Sequence, residues 1–213
     1  MSCDKVVELI DYRVSYDDGK IINYRNIEIF KNELVGIMGK SGCGKTTLLN
    51  SLFALDFRGK REYSCGNILG QDLQSMNHEK YKFISYMPQY SQDALNPLLR
   101  IDKIVKLILK CNNISYDENK IIELLKNIDL SEEVLFKHPY ELSGGMKQRI
   151  VMLISYIKNP EIFILDEPSS ALDFITLRAI VDFIKSIRGS RTIVIVSHNK
   201  EFLNNLCDRI IYI

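Results

Sequence analysis

Leu34-Val35-Gly36-Ile37-Met38-Gly39-Lys40-Ser41-Gly42-Cys43-Gly44-Lys45-Thr46-Thr47-Leu48-Leu49 decides how the rest of the chain is read. An apolar run, Glu33 to Met38, has the composition of a buried strand and breaks at Gly39 into a glycine-rich loop. Lys45 to Leu55 then carries apolar residues at Leu48, Leu49 and Leu52, one face of a helix. Between strand and helix lies Gly-x-x-x-x-Gly-Lys-Ser/Thr in the context that gives it meaning. Glycines let successive backbone N–H groups curl round phosphate oxygens, and the helix N-terminus adds its positive dipole end. Lys45 is then placed to bridge β- and γ-phosphates and Thr46 to offer a hydroxyl to Mg²⁺, so a nucleoside triphosphate with Mg²⁺ is the expected ligand.

A second segment supplies the acids. Ile162-Phe163-Ile164-Leu165-Asp166-Glu167 is an apolar strand that ends in two carboxylates, at the strand end where open α/β sheets bind ligands. Asp166 suits a magnesium shell, and Glu167 suits a general base for an attacking water. Upstream, Leu142-Ser143-Gly144-Gly145-Met146 starts a helix whose apolar face is Met146, Ile150, Leu153 and Ile157. Ser143, Gly144 and Gly145 thus form a second candidate anion site at a helix N-terminus.

The remaining text places these motifs. Val6 to Phe30 shows short strand-like runs broken at Asp17-Asp18-Gly19, as in an antiparallel β layer, while residues 56–80 are polar and broken by glycines. Lys82 to Met87 is a short strand stopped by Pro88. From Ile101 to Phe136 the apolar period is helical, which indicates an inserted helical subdomain. Strand and helix alternate again at Ile162–Leu165, Leu172–Ile187, Thr192–Val196, Lys200–Leu206 and Arg209–Ile213. The expected fold is α/β, with a mostly parallel core sheet, an N-terminal antiparallel β layer and the helical insertion. We expect one domain over 1–213, with 1–90 and 145–213 as catalytic core and 91–144 as helical subdomain.

Composition agrees with an ordinary globular chain. With 46% hydrophobic and 26% charged residues, the 213-residue chain is neither disordered nor a disulfide scaffold. Its 28 basic and 27 acidic side chains balance to +1, which gives no backbone-binding face for nucleic acid. Five cysteines without a Cys-x-x-Cys pair signal neither a zinc site nor secreted disulfides, so a reducing cytoplasm is expected. No apolar run reaches the roughly 20 residues of a spanning helix. The start, MSCDKVVELIDYRV, does not have the pattern of a signal peptide.

In this order, GKSGCGKTT (Gly39 to Thr47), Gln89, LSGGM, ILDE, SALD (Ser170 to Asp173) and His198, the chain resembles the ATP-binding cassette ATPases over essentially its whole length. The resemblance implies a head-to-tail dimer in which Ser143, Gly144 and Gly145 of one subunit face the γ-phosphate held by Lys45 of the other. It also implies roles: Tyr16, with Tyr12 as the competing candidate, stacks on adenine; Gln89 touches Mg²⁺ and water; Asp173 crosses the interface; His198 contacts the γ-phosphate. Met87-Pro88-Gln89-Tyr90-Ser91-Gln92-Asp93-Ala94-Leu95-Asn96-Pro97 and His138-Pro139-Tyr140-Glu141-Leu142-Ser143-Gly144-Gly145-Met146-Lys147-Gln148-Arg149 look like the peptide and nickel importers. That branch implies a non-identical second ATPase subunit, two membrane permease subunits, an extracytoplasmic binding protein, and a peripheral place on the cytoplasmic face of the membrane. A soluble cassette acting in DNA repair or translation, or a regulatory ATP-binding subunit, is the competing class, without a coiled-coil insertion or basic face to support it. Two departures stand out: Lys31-Asn32-Glu33 replaces the usual Gly-Glu turn, and the text stops at the strand ending in Ile213, without the usual Gly hairpin and extension.

Overall fold

The computed structural model describes residues 4–54, 57–89, 91–170 and 172–213. In chain order the elements are β1 (Lys5–Ile10), β2 (Arg13–Ser15), β3 (Ile21–Asn23), β4 (Ile27–Phe30), β5 (Leu34–Met38), α1 (Lys45–Phe53), β6 (Lys60–Glu62), β7 (Cys65–Ile68) and β8 (Gln71–Asp72). There follow β9 (Ile84–Met87), α2 (Ile101–Cys111), α3 (Glu118–Lys126), α4 (Gly144–Ile157), β10 (Ile162–Asp166), α5 (Phe174–Ile187), β11 (Thr192–Ser197), α6 (Lys200–Leu206) and β12 (Arg209–Tyr212).

The core sheet has the order β12-β5-β11-β10-β9, and all of its pairings are parallel. Every residue of β10 and β11 is buried, which is why both read as unbroken apolar runs rather than alternating ones. One face packs on α1 and the antiparallel layers through Val35, Ile37, Ile164 and Val194. The other packs on α2 to α6 through Leu34, Phe163, Leu165, Ile193 and Ile195. The expected fold class is the one found.

The antiparallel part is richer than the sequence indicates. It forms two sheets, β4-β1-β7-β8 and β3-β2-β6, and the polar stretch after α1 contributes three of those strands, β6, β7 and β8. They escape periodicity because β6 is exposed at every position and β8 is two residues long. Pairing of β6 with β2, of β7 with β1 and of β8 with β7, rather than their own composition, makes them strands. Helix α5 begins at Phe174 rather than Leu172, because the Asp173 carboxylate accepts from the Thr176 N–H at 2.8 Å and caps it. The segment at residues 78–82 is a 3₁₀ turn, so β9 starts at Ile84 rather than Lys82. Leu55, the expected end of α1, lies outside the described residues.

The departure at Lys31-Asn32-Glu33 has a local explanation. Asn32 takes the left-handed conformation, φ 61°, which asparagine tolerates best after glycine. Its N–H donates to Thr192 Oγ1 at 3.0 Å, and Glu33 accepts from the Phe30 N–H at 3.0 Å and from Arg209 Nε at 2.9 Å. The turn into β5 is therefore closed without a glycine.

Phe183 on α5 is fully buried and meets Tyr156 of α4 edge-on, with ring centroids 5.2 Å apart at 85°. Phe183→Ala is expected to lower stability by about 3–5 kcal/mol, measured as an earlier midpoint in urea unfolding.

Candidate functional site

Parallel pairing decides where the motifs meet. Ser197 of β11 pairs with Met38 of β5, Asp166 of β10 with Val196 of β11, and Leu165 of β10 with Met87 of β9. The carboxyl ends of these strands therefore lie on one edge, and each ends in a residue singled out by sequence: Gly39 after β5, His198 after β11, Asp166 and Glu167 at β10, Gln89 after β9. They open on a cleft of about 430 Å³ lined by Lys20, Ser41, Gly42, Gly44, Lys45, Thr46, Thr47, Gln89, Asp166, Glu167 and His198.

The loop is shaped by two left-handed glycines, Gly42 at φ 81° and Gly44 at φ 107°. A Cβ on Gly44 would also come within 2.9 Å of the Tyr24 hydroxyl, so this position is closed to side chains by conformation and by space. Gly39 is constrained differently: a Cβ there would lie 2.4 Å from Cys43 Sγ and 2.8 Å from the Ile213 carbonyl. Lys45 folds back over its own loop, Nζ donating to the Gly39 carbonyl at 2.8 Å and the Lys40 carbonyl at 3.1 Å. Its charge is thereby held over the glycine-rich loop at the N-terminus of α1, a place suited to a phosphate chain.

The acids are fixed individually. Asp166 is buried and accepts from the Tyr86 hydroxyl at 3.0 Å. Burial pushes its carboxyl above the usual range, helped by the neighbouring Glu167 charge and opposed by Tyr86 and Lys45. Glu167 sits at φ 47°, a left-handed conformation uncommon for a long side chain, and is only 6% exposed. Its N–H donates to the Val196 carbonyl at 2.8 Å, while its carboxylate accepts from Ser197 Oγ at 3.0 Å and from His198 N–H at 3.0 Å and Nδ1 at 2.9 Å. Because a carboxylate only accepts, Nδ1 carries the proton of that pair. Asp166, the Thr46 hydroxyl and the Gln89 amide oxygen form a hard-oxygen set suited to Mg²⁺, which is commonly held by one or two carboxylates together with substrate phosphates. Among the described residues no group of three or more His, Cys, Asp or Glu side chains is placed to hold a metal without such help.

Ser143, Gly144, Gly145 and Asp173 are not part of this cleft. They form a second cluster: Ser143 Oγ caps α4 by accepting from the Met146 N–H at 3.2 Å, and Asp173 binds both the N–H and the hydroxyl of Thr176. A Cβ on Gly145 would meet that Thr176 hydroxyl at 2.5 Å, so the glycine allows the starts of α4 and α5 to touch. Tyr12 is excluded as a stacking residue: it is fully buried, its hydroxyl donates to Ser51 Oγ at 2.9 Å, and burial pushes its phenol up to about 12. Tyr16 is half-buried, edge-on to Phe57 at 5.9 Å, and outside the lining of the cleft. Ala171 of the SALD stretch and Tyr90 lie outside the described residues.

Tyr24, Tyr86 and Lys20 carry no sequence signal, and Gln148, which falls within the His138–Arg149 stretch, is given no role by it. Tyr24 donates to the Gly44 carbonyl at 2.8 Å and braces the loop from the antiparallel layer. Tyr86 holds Asp166. Buried Gln148 of α4 donates to the Pro168 carbonyl at 3.2 Å, tying that helix to the turn after Glu167. Lys20 reaches the cleft from the turn before β3. Tyr86 lies on β9, and its approach to Asp166 is settled only once the sheet order is known.

The raised carboxyl of Asp166 gives a signed prediction. Its contribution to stability is complete below the ordinary aspartate value of 3.8 and is lost as pH rises through the higher folded value. Asp166→Asn is therefore expected to raise the melting temperature of the nucleotide-free protein at pH 7 to 8, by about 2–4 °C per kcal/mol relieved. The gain should vanish near pH 4; a scan of melting temperature against pH checks it.

Comparison with known proteins closes the identification. Residues 22–170 match the sequence profile of the family described as ABC transporter. The chain is 30% identical over 199 residues to the dipeptide transport ATP-binding protein DppD of Caldanaerobacter subterraneus, covering 87% of this chain and 61% of that protein. It is 32% identical over 212 residues to the spermidine/putrescine import ATP-binding protein PotA of Haemophilus influenzae, covering 97% and 55%. It thus spans 61% and 55% of the length of these relatives. Among solved structures, an ATP-binding subunit of an ABC transporter superposes with a TM-score of 0.83 at 20% identity, covering 98% of this chain and 85% of that one. The dimeric post-hydrolysis cassette MJ0796 bound to ADP and Pi superposes at 0.77 and 29% identity, covering 97% and 94%. With its phosphate loop, paired acids and histidine gathered on one sheet edge and its profile matched from residue 22 to 170, this chain belongs to the ABC transporter family.

Proposed function

We propose that the chain is an ATP-hydrolysing motor subunit of a membrane importer, pairing head to tail with a second cassette. The observation that carries this reading is the convergence of Lys45, Asp166, Glu167 and His198 on one cleft from three different strand ends. Lys45 and the loop amides take the phosphates, Tyr16 stacks on adenine, and Glu167 accepts the proton of the attacking water. His198 contacts the γ-phosphate while its Nδ1 stays on Glu167. Mg²⁺, held by Thr46, Gln89 and Asp166, would supply charge neutralisation of the phosphate oxygens when bound. Positioning and fixed electrostatics contribute most of the acceleration in such a displacement.

Ser143, Gly144, Gly145 and Asp173 lie outside this cleft, which is what a composite site requires: they would complete the neighbour's pocket rather than their own. The 91–144 segment would pass the resulting closure to two permease subunits. In this reading the core comprises 1–90 and 145–213 and sits peripherally on the cytoplasmic face of the membrane. Among the described residues no helix is long and apolar enough to cross a membrane. Cargo of the peptide or nickel-chelate class is favoured by the Ala94-Leu95-Asn96-Pro97 stretch, and the peptide alternative by the likeness to DppD. The likeness to PotA and to a methionine import protein, MetN, of Clostridium acetobutylicum supports import more broadly. An extracytoplasmic binding protein would select the cargo, and the second cassette would be a non-identical paralogue.

Two substitutions test the reading. Glu167→Gln is expected to retain ATP binding, lower steady-state phosphate release at least a hundredfold and accumulate a closed dimer by light scattering. Lys45→Ala is expected to abolish binding of a fluorescent ATP analogue at micromolar concentration. Unchanged affinity in that variant would contradict the phosphate-loop assignment.

A further inference from the structure

Glu167 is held at both carboxylate oxygens, and unequally. Oε1 accepts two hydrogen bonds, from His198 N–H at 3.0 Å and His198 Nδ1 at 2.9 Å. Oε2 accepts one among the described residues, from Ser197 Oγ at 3.0 Å. Each carboxylate oxygen offers about two lone-pair sites. Oε1 is therefore saturated, and Oε2 retains one site for a further donor.

Ser197 is well placed to decide where that remaining site points. It is the last residue of β11, fully buried, and anchored opposite Met38 in the sheet. Its hydroxyl oxygen also accepts from the Asn199 N–H at 3.1 Å, so its own proton is directed at Glu167. A hydroxyl supplied with a donor on one side and an acceptor on the other has no rotational freedom left. Glu167, with its backbone at φ 47°, is thus clamped at its N–H by the Val196 carbonyl and at its tip by Ser197 and His198.

We infer that Ser197 is a positioning residue that fixes Oε2 of Glu167 as the oxygen receiving the proton of the attacking water. The inference rests on the assignment of Glu167 as base. In that step the water oxygen forms a bond to the γ-phosphorus while the bond from that phosphorus to the bridging oxygen breaks. ADP leaves with the electron pair, and the water proton passes to Oε2. Proton transfer of this kind depends on alignment of the accepting lone pair with the water.

The experiment measures single-turnover ATP hydrolysis, KM and analogue affinity for the full chain and for Ser197→Ala, Ser197→Thr, Glu167→Gln and the double variant Ser197→Ala with Glu167→Gln. We expect Ser197→Ala to lower kcat about ten- to hundredfold while KM and analogue affinity stay within about twofold. Ser197→Thr, which keeps the hydroxyl, should recover most of the rate. In the Glu167→Gln background Ser197→Ala should have no further effect, because the group it orients is already lost. A wild-type kcat in Ser197→Ala alongside an inactive Glu167→Gln would overturn the role of Ser197 and leave the base in place. Additive loss in the double variant would overturn it also, and this arm decides if the threonine methyl does not fit. A wild-type rate in Glu167→Gln would instead reject the base itself.

Discussion

Parallel register at one sheet edge is the constraint on which the site depends. Strands buried on both faces cannot be displaced along one another without breaking a full ladder of hydrogen bonds, so their carboxyl ends are fixed relative to each other by the core. β11 lies between the strand that leads into the phosphate loop and the strand that carries the acids. His198 and Ser197 can therefore reach Glu167 across the ladder, while Lys45 approaches from the other side of the cleft.

Placing charge at the end of an apolar strand has a cost, and the structure offsets it with dedicated partners. Asp166 is desolvated and its proton affinity rises, with the Tyr86 hydroxyl partly restoring what water would have supplied. Glu167 is equally buried, and each of its oxygens is bonded from β11 or the residue after it, with Oε2 keeping one site open. The two neighbouring acids are thus in different environments: one supported by a single phenol, the other by three donors. Left-handed backbone at Glu167 and Gly44 marks where chain direction is forced so that these groups face the same space.

A second set of contacts joins that edge to the start of α4. Gln148 bonds the carbonyl of Pro168, directly after Glu167, and Gly145 lets α4 press on Thr176, which Asp173 holds. Arg149 reaches the Ile128 and Asp129 carbonyls in the connection after α3. Helix α4 is thus joined by short polar contacts both to the turn after Glu167 and to the connection after α3. These are physical links between the two clusters of motif residues, which lie apart within a single chain.

Sequence alone determined the phosphate loop, the acid-bearing strand, the capped start of α4 and the α/β class, because each is a local pattern. Glycine spacing, uninterrupted apolar runs and a serine before a helix carry their physics within about ten residues. His198 and Gln89 stand out only through the family resemblance, by their order among the motifs. Tertiary structure decided what no local pattern encodes: that Tyr12 belongs to the core, that Tyr24 and Tyr86 brace the loop and the acid, and that Ser197 holds one oxygen of Glu167. It likewise made strands of β6, β7 and β8, whose polar text shows no period of its own. In all of these cases but β8, which pairs locally with β7, the partner lies far along the chain, and only the packing of the sheets brings the two within hydrogen-bonding distance.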